Sequence, residues 1–215
     1  MTATRLRSAD ATRLRPADPV IVVPPGRPTG LRPVPLRPPG RAPDVVALSE
    51  LGPDQTDVLD AVFAGLSAAS RYLRFHAATP RMTAGVRRRL ADVDGHRHLA
   101  VAAFDPAGRP VGIARLVALD DHRAELAIEV ADAWQGRGVG ARLLRAVAGR
   151  GREEGYTRLV ADVLTENTGM RVLLASVLPI LSTETDGHEI TLTADLGVAG
   201  PVRVMGPVPV VTPAA

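Results

Sequence analysis

"DAWQGRGVGARLLRAV" (residues 132–147) places Gly136, Gly138 and Gly140 within five positions and then continues as a helix. Val139, Leu143, Ala146 and Val147 recur at helical spacing with Arg142 and Arg145 between them, so one stripe faces a core and the other faces water. The preceding "RAELAIEV" (123–130) has the alternation of a strand. A glycine-rich turn between strand and helix has three readings. It is a tight connection, since glycine accepts positive φ and close packing. It is a dinucleotide turn, since Gly136, Gly138 and Ala141 satisfy G-x-G-x-x-[GA], with Asp162 about 20 residues on. Or it is a pyrophosphate cradle on a mixed sheet, since successive N–H groups at a helix N-terminus form a positive concavity.

The surroundings decide between them. "HLAVAAF" (98–104), "VGIARLVAL" (111–119) and "RAELAIEV" are strand-like and joined by short turns, which predicts an antiparallel meander. A dinucleotide turn follows the first strand of a parallel unit. Here the glycines follow a third strand, and the roughly 80 residues behind them leave no room for a second parallel half. The remaining pattern predicts a strand at 44–51 and helices at 54–68, 82–93 and 138–152. A strand at 157–164, a helix at 167–178 and a strand at 188–196 complete it. The fold class is α+β, a mixed, mostly antiparallel central sheet flanked by helices.

Gln135, Gly138 and Gly140 also spell Q-x-x-G-x-G, preceded by "AELAIEVADAWQ" and followed, one strand later, by Glu166 and Asn167 opening a helix. This combination resembles the acetyl-CoA motif of the GNAT superfamily of acyl-CoA-dependent N-acyltransferases, and the order of elements matches from about residue 45 to 198. The resemblance implies the GNAT fold, acetyl-CoA as cosubstrate and no metal. It implies that the strand before the turn splays from the one after the helix, with the pantetheine arm along Ile128, Glu129 and Val130. The pyrophosphate would rest on Gln135, Gly136, Arg137, Gly138, Val139 and Gly140, with Arg137 adding charge. Asn167 matches the family's pantetheine-binding asparagine; it also reads as a helix N-cap.

Acyl transfer to an amine requires a base, because an ammonium is not a nucleophile. Glu125 stands where family members often carry it. Strand alternation puts Arg123, Glu125, Ala127 and Glu129 on one face and Leu126, Ile128 and Val130 on the other. Glu125 and Glu129 are then about 13 Å apart, too far for a carboxylate dyad, and the plain reading of that face is a solvated one. Two departures stand out: Leu174 occupies the position where a tyrosine commonly protonates the leaving thiolate, and the helix ends "SVLPI". On the acceptor side, "LSAASRYLRFHAATP" (66–80) resembles a stretch of bacterial protein lysine acetyltransferases of the superfamily. That implies Tyr72, Arg74 and Phe75, with His76, at the acceptor entrance; helix packing is their plain reading. The implied activity is direct acetyl transfer to a protein lysine or N-terminal amine, with a small-molecule amine or a catalytically weak acyl-CoA-binding module as alternatives.

Composition narrows the chemistry. All 26 basic residues are arginine and there is no cysteine, which excludes a G-K-[ST] phosphate loop, Schiff-base chemistry and an acyl-thiol intermediate. Residues 1–44 form a Pro/Arg-rich arm expected to be disordered. Within it, residues 1–43 hold eight arginines against Asp10 and Asp18, a charge of +6, so the rest of the chain sums to −3. An arm without aromatics lacks stacking residues, and nucleic acid is not an expected partner. The GNAT domain is expected over 45–198 and a flexible tail over 199–215. No apolar run of about 18 residues exists to span a membrane, and the N-terminus lacks a signal's apolar segment; a cytoplasmic location is the default. The expected partner is an amine acceptor, and a homodimer is compatible with the family. His96 and His98 lack metal-ligand spacing and read as a strand end.

Overall fold

The computed structural model describes residues 46–197; the Pro/Arg arm, with its strand-like "PVIVV" (19–23), and the tail from 199 lie outside the described residues. The elements run β1 (Ala47–Glu50), α1 (Thr56–Ala64), α2 (Ala68–Phe75), α3 (Ala84–Ala91), β2 (His98–Phe104), β3 (Pro110–Ala118) and β4 (Arg123–Val130). A short 3₁₀ turn (Asp132–Trp134) leads to α4 (Val139–Glu153), β5 (Arg158–Leu164), α5 (Thr168–Val177), β6 (Ile180–Asp186) and β7 (Glu189–Asp195). The strands form one sheet in the order β1-β2-β3-β4-β5-β7-β6. Every neighbouring pair is antiparallel except β4 with β5.

That exception shapes the molecule. β4 and β5 pair at only three positions, Arg123↔Arg158, Ala124↔Leu159 and Glu125↔Val160. β4 stays on β3 as far as Val130, while β5 follows β7 through Leu164. Beyond Glu125 the two strands therefore part, and the sheet carries a wedge-shaped opening.

Alternation along the strands divides the core in two. Leu99, Val101, Ala114, Leu116, Ala124 and Leu126 turn to one face, where Val139, Leu143, Leu144 and Val147 of α4 cover them. Ala100, Ala102 and Ile113 turn to the other, under Val58, Leu59 and Val62 of α1. At about 25 cal/mol per Å² of apolar surface, each buried Leu or Val contributes about 1.5–3 kcal/mol.

Two elements differ from the sequence expectation. The predicted helix over 54–68 stops at Ala64, and a new helix, α2, starts behind Ser67, whose side chain accepts from Ser70 N at 3.2 Å. The cap redirects the chain across the sheet. β6 was not among the expected elements. It is an edge strand, "ILSTETD", exposed from Leu181 to Asp186. A strand with neither face buried has no alternation of apolar residues to reveal it.

Candidate active site

The glycine turn sits at the wide end of the splay. Gly136 and Gly138 have φ of +68° and +79°, and a Cβ on either would meet nothing within 4 Å. The backbone conformation demands glycine, and the space in front of it is open. Gly138 caps α4 without any side-chain hydrogen bond to the helix. The first N–H groups of α4 therefore keep their positive end for an anion. Gly140 answers a different need: a Cβ there would approach Leu173 Cδ2 to 3.1 Å, so its glycine lets α4 and α5 close together.

Gln135 fastens this cradle to its surroundings. Its Nε2 donates to Val130 O at 2.9 Å and to Ser70 Oγ at 3.2 Å, joining the end of β4 to α2. The Arg137 guanidinium lies 5.0 Å over the Trp134 ring. Val139 is buried, so only its backbone can belong to the cradle. Asn167 Oδ1 accepts from Met170 N at 3.1 Å; the N-cap role uses its oxygen and leaves its NH₂ as a donor.

From the cradle a cleft of about 740 Å³ runs along the splay, lined by β4 from Glu125 to Val130, by Asp162 and Asn167, and by Arg74, Phe75 and His76 of α2 and its end. Ile128, Glu129 and Val130 thus line the same cleft as Gln135, Gly136, Gly138 and Gly140. Glu125 marks the narrow end and is half-buried. Asp162 lies on the opposite wall, accepting from Thr191 Oγ1 at 2.6 Å. Tyr72 is exposed and does not line the cleft. Phe75 is buried, its ring 5.9 Å from that of Phe63. Leu174 is 1% exposed and part of the core, so this position supplies no proton.

The face bearing Glu129 is not solvated. Glu129 is buried, receives Arg74 Nε at 2.5 Å and lies 3.4 Å from Arg115 Nη2. Burial alone would raise its carboxyl; the attraction of Arg74 and Arg115 and the Arg74 hydrogen bond outweigh it and hold the group below the ordinary glutamate value. Arg115 is 1% exposed, and none of its guanidinium nitrogens has a hydrogen-bond partner among the described residues. Burial, and to a lesser degree Arg74, push it down to about 10 against the pull of Glu129, so it remains a cation at neutral pH. His98 lies on the same side: burial first, then Arg115, lowers it, and its Nδ1 meets Asp92 O at 2.7 Å. Arg115 went unnoticed in the sequence, although a lone charge within "VGIARLVAL" was the available signal. Arg74 lines the cleft, but its charge is committed to Glu129.

Among the described residues no helix is long and apolar enough to cross a membrane. The model of the Acetyltransferase (GNAT) family matches residues 66–175. Acetyltransferase PA5475 of Pseudomonas aeruginosa is 29% identical over 116 residues, 52% of this chain and 62% of that protein; the chain spans less than two thirds of that relative's length. The crystal structure of the GNAT domain of S. lividans PAT is 26% identical, with a TM-score of 0.64 over 70% of this chain and 90% of that one. A GNAT superfamily phosphinothricin acetyltransferase from Sinorhizobium meliloti, solved with AcCoA, shares the fold at 16% identity and a TM-score of 0.55, covering 70% and 86%. Splay, cradle and family match coincide on the same residues: the chain belongs to the acetyltransferase (GNAT) family.

Proposed function

We propose that the protein is an acetyl-CoA-dependent N-acetyltransferase that moves the acetyl group from the thioester directly to a primary amine. The observation that carries this reading is the parting of β4 and β5 after Glu125, with its wide end at the uncapped N-terminus of α4. The diphosphate takes the α4 N–H groups and the glycine turn, the pantetheine arm takes the β4 edge from Ile128 to Val130, and the Asn167 amide donates to it. Glu125 accepts a proton from the amine as the C–N bond forms. With no cysteine in the chain, transfer proceeds in a ternary complex. A protein lysine or N-terminal amine is the leading acceptor class, on the resemblance over residues 66–80, and a small-molecule amine is the second. A cytoplasmic location, an amine acceptor without nucleic acid, and a homodimer belong to the same reading.

Calorimetry and a thiol-release assay test it. Acetyl-CoA should bind and NADH should not, and free thiol should appear with at least one of a lysine peptide, a free peptide N-terminus or a small amine. NADH binding without acetyl-CoA binding would overturn the reading, and acetyl-CoA binding without turnover would reduce the protein to a binding module. The cradle has its own expectation. Gly138→Ala puts a side chain at φ +79°, a left-handed position costing about 1–2 kcal/mol, and its Cβ occupies the open space. The Kd for acetyl-CoA should rise about tenfold, about 1.4 kcal/mol; an unchanged Kd would place the diphosphate elsewhere.

A further inference from the structure

His76 ends α2 in an unusual way. It is the C-cap residue, with φ 54° and ψ 21°, a left-handed conformation that helix ends commonly give to glycine. Holding a side chain there strains the backbone, and such strain gathers at functional sites. The imidazole placed at this cost lines the cleft. Its Nδ1 lies 2.8 Å from Glu189 Oε1, linking α2 to the first residue of β7 across 113 positions of sequence. An ionised carboxylate only accepts, so Nδ1 carries the proton and the neutral ring keeps its lone pair on Nε2. Nε2 makes no hydrogen bond to a described residue. A base whose ring is oriented by a carboxylate is the arrangement that activates a nucleophile.

We propose that His76, oriented by Glu189, is the base that converts the bound ammonium into a free amine, and that Glu125 acts after it. This rests on the N-acetyltransferase reading above. An ammonium must lose two protons to become an amide. His76 takes the first and, at 23% exposure, releases it to solvent. The amine nitrogen then forms the C–N bond at the thioester carbonyl, Glu125 takes the second proton, the C–S bond breaks, and that proton ends on the thiolate. One proton is released per turnover and thiol is formed, which closes the balance without a tyrosine at position 174. The acids along the cleft suit a cation: Glu189 from β7, Asp162 from β5, and from β4 Glu129 and, at the narrow end, Glu125. Beside them β6 sets Asp186 opposite Glu189 and Glu184 opposite Thr191. Of the arginines, Arg74 of α2 and the buried Arg115 of β3 are both turned to Glu129.

The test is the pH dependence of His76→Asn, which tolerates the left-handed backbone but cannot act as a base. Glu189→Gln, which keeps an acceptor without charge, is its companion. A lysine amine, with a pKa of about 10.4, is free in about one molecule in a thousand at pH 7.4. With a lysine peptide, kcat/KM of His76→Asn should therefore fall by about 10²–10³-fold at pH 7.4. It should recover about tenfold per pH unit upward, with the Kd for acetyl-CoA unchanged. Glu189→Gln, which loosens the ring without removing it, should lower kcat/KM by less than His76→Asn does. A loss below about threefold with the parent's pH profile would overturn the proposal while leaving the N-acetyltransferase reading intact. Imidazole ¹⁵N NMR of the acetyl-CoA-bound chain supplies a readout independent of the acceptor. The neutral ring should carry its proton on Nδ1 and leave Nε2 bare. The opposite tautomer, with Nε2 protonated, overturns the assignment whichever amine is accepted.

Discussion

Glu129→Ala is expected to lower the unfolding free energy by about 3–5 kcal/mol, the usual cost of removing one partner from a buried ion pair. Glu129 is the only acid within reach of Arg115 among the described residues, and without it a 1%-exposed guanidinium keeps its charge with no counter-charge and no hydrogen bond. Arg74 loses its bond as well, which leaves α2 tied to the end of β4 through Gln135 and Ser70 alone among the hydrogen bonds described above. Urea unfolding should show a lower midpoint at unchanged slope, the mark of a stability change. The double variant Arg115→Leu/Glu129→Leu should lose less than Glu129→Ala, since apolar replacement of the whole cluster removes the desolvation cost together with the attraction. The pH dependence has a definite sign. The folded carboxyl lies below the ordinary 4.5, so its contribution is complete above that value and is lost as pH falls through the folded value. Glu129→Gln should flatten the acid side of the stability curve. A loss under about 1 kcal/mol in the alanine variant would mean that Arg115 is solvated by water in the folded chain.

The same cluster shows where a one-dimensional reading stops. The meander was legible because "HLAVAAF", "VGIARLVAL" and "RAELAIEV" alternate against a buried face and turn within a few residues. The cradle was legible because its constraint is local: positive φ at Gly136 and Gly138 leaves a trace in residue type. Glu129 obeyed the alternation and was still misjudged as solvated, because alternation says which face a side chain takes and not what covers that face. The cover is α2, and its separate existence rests on a single cap at Ser67 inside a continuous helical stretch. His76 and Glu189 illustrate the same limit. Neither has a local signature beyond a histidine where glycine is usual, and their meeting depends on β7 lying between β5 and β6 in the sheet. β6 escaped notice for the converse reason, since an edge strand buries too little to impose a pattern.

Glu125→Gln is expected to lower kcat by about 10²–10⁴-fold, the range supplied by a positioned general base, or about 2.7–5.5 kcal/mol of transition-state stabilisation. The amide keeps the size of the side chain and removes its charge and its capacity to take a proton. Stability and the Kd for acetyl-CoA should therefore stay within about twofold of the parent, separating a chemical role from a structural one. Glu125→Asp should retain part of the rate, because the shortened carboxylate remains basic. Asp162 is the competing carboxylate, since it lines the same cleft from the opposite strand. Its Oδ1 is already engaged, accepting from Thr191 Oγ1. Asp162→Asn should accordingly cost less than about tenfold. The reverse ranking, with Asp162→Asn the deeper loss, would move the second proton transfer from β4 to β5 and leave Glu125 as a charge that attracts the ammonium. The two positions differ in one geometric respect that makes the first ranking the expected one. Glu125 is the last β4 residue paired with β5 and is also paired with β3, so its backbone is held on both sides at the point where the strands begin to part.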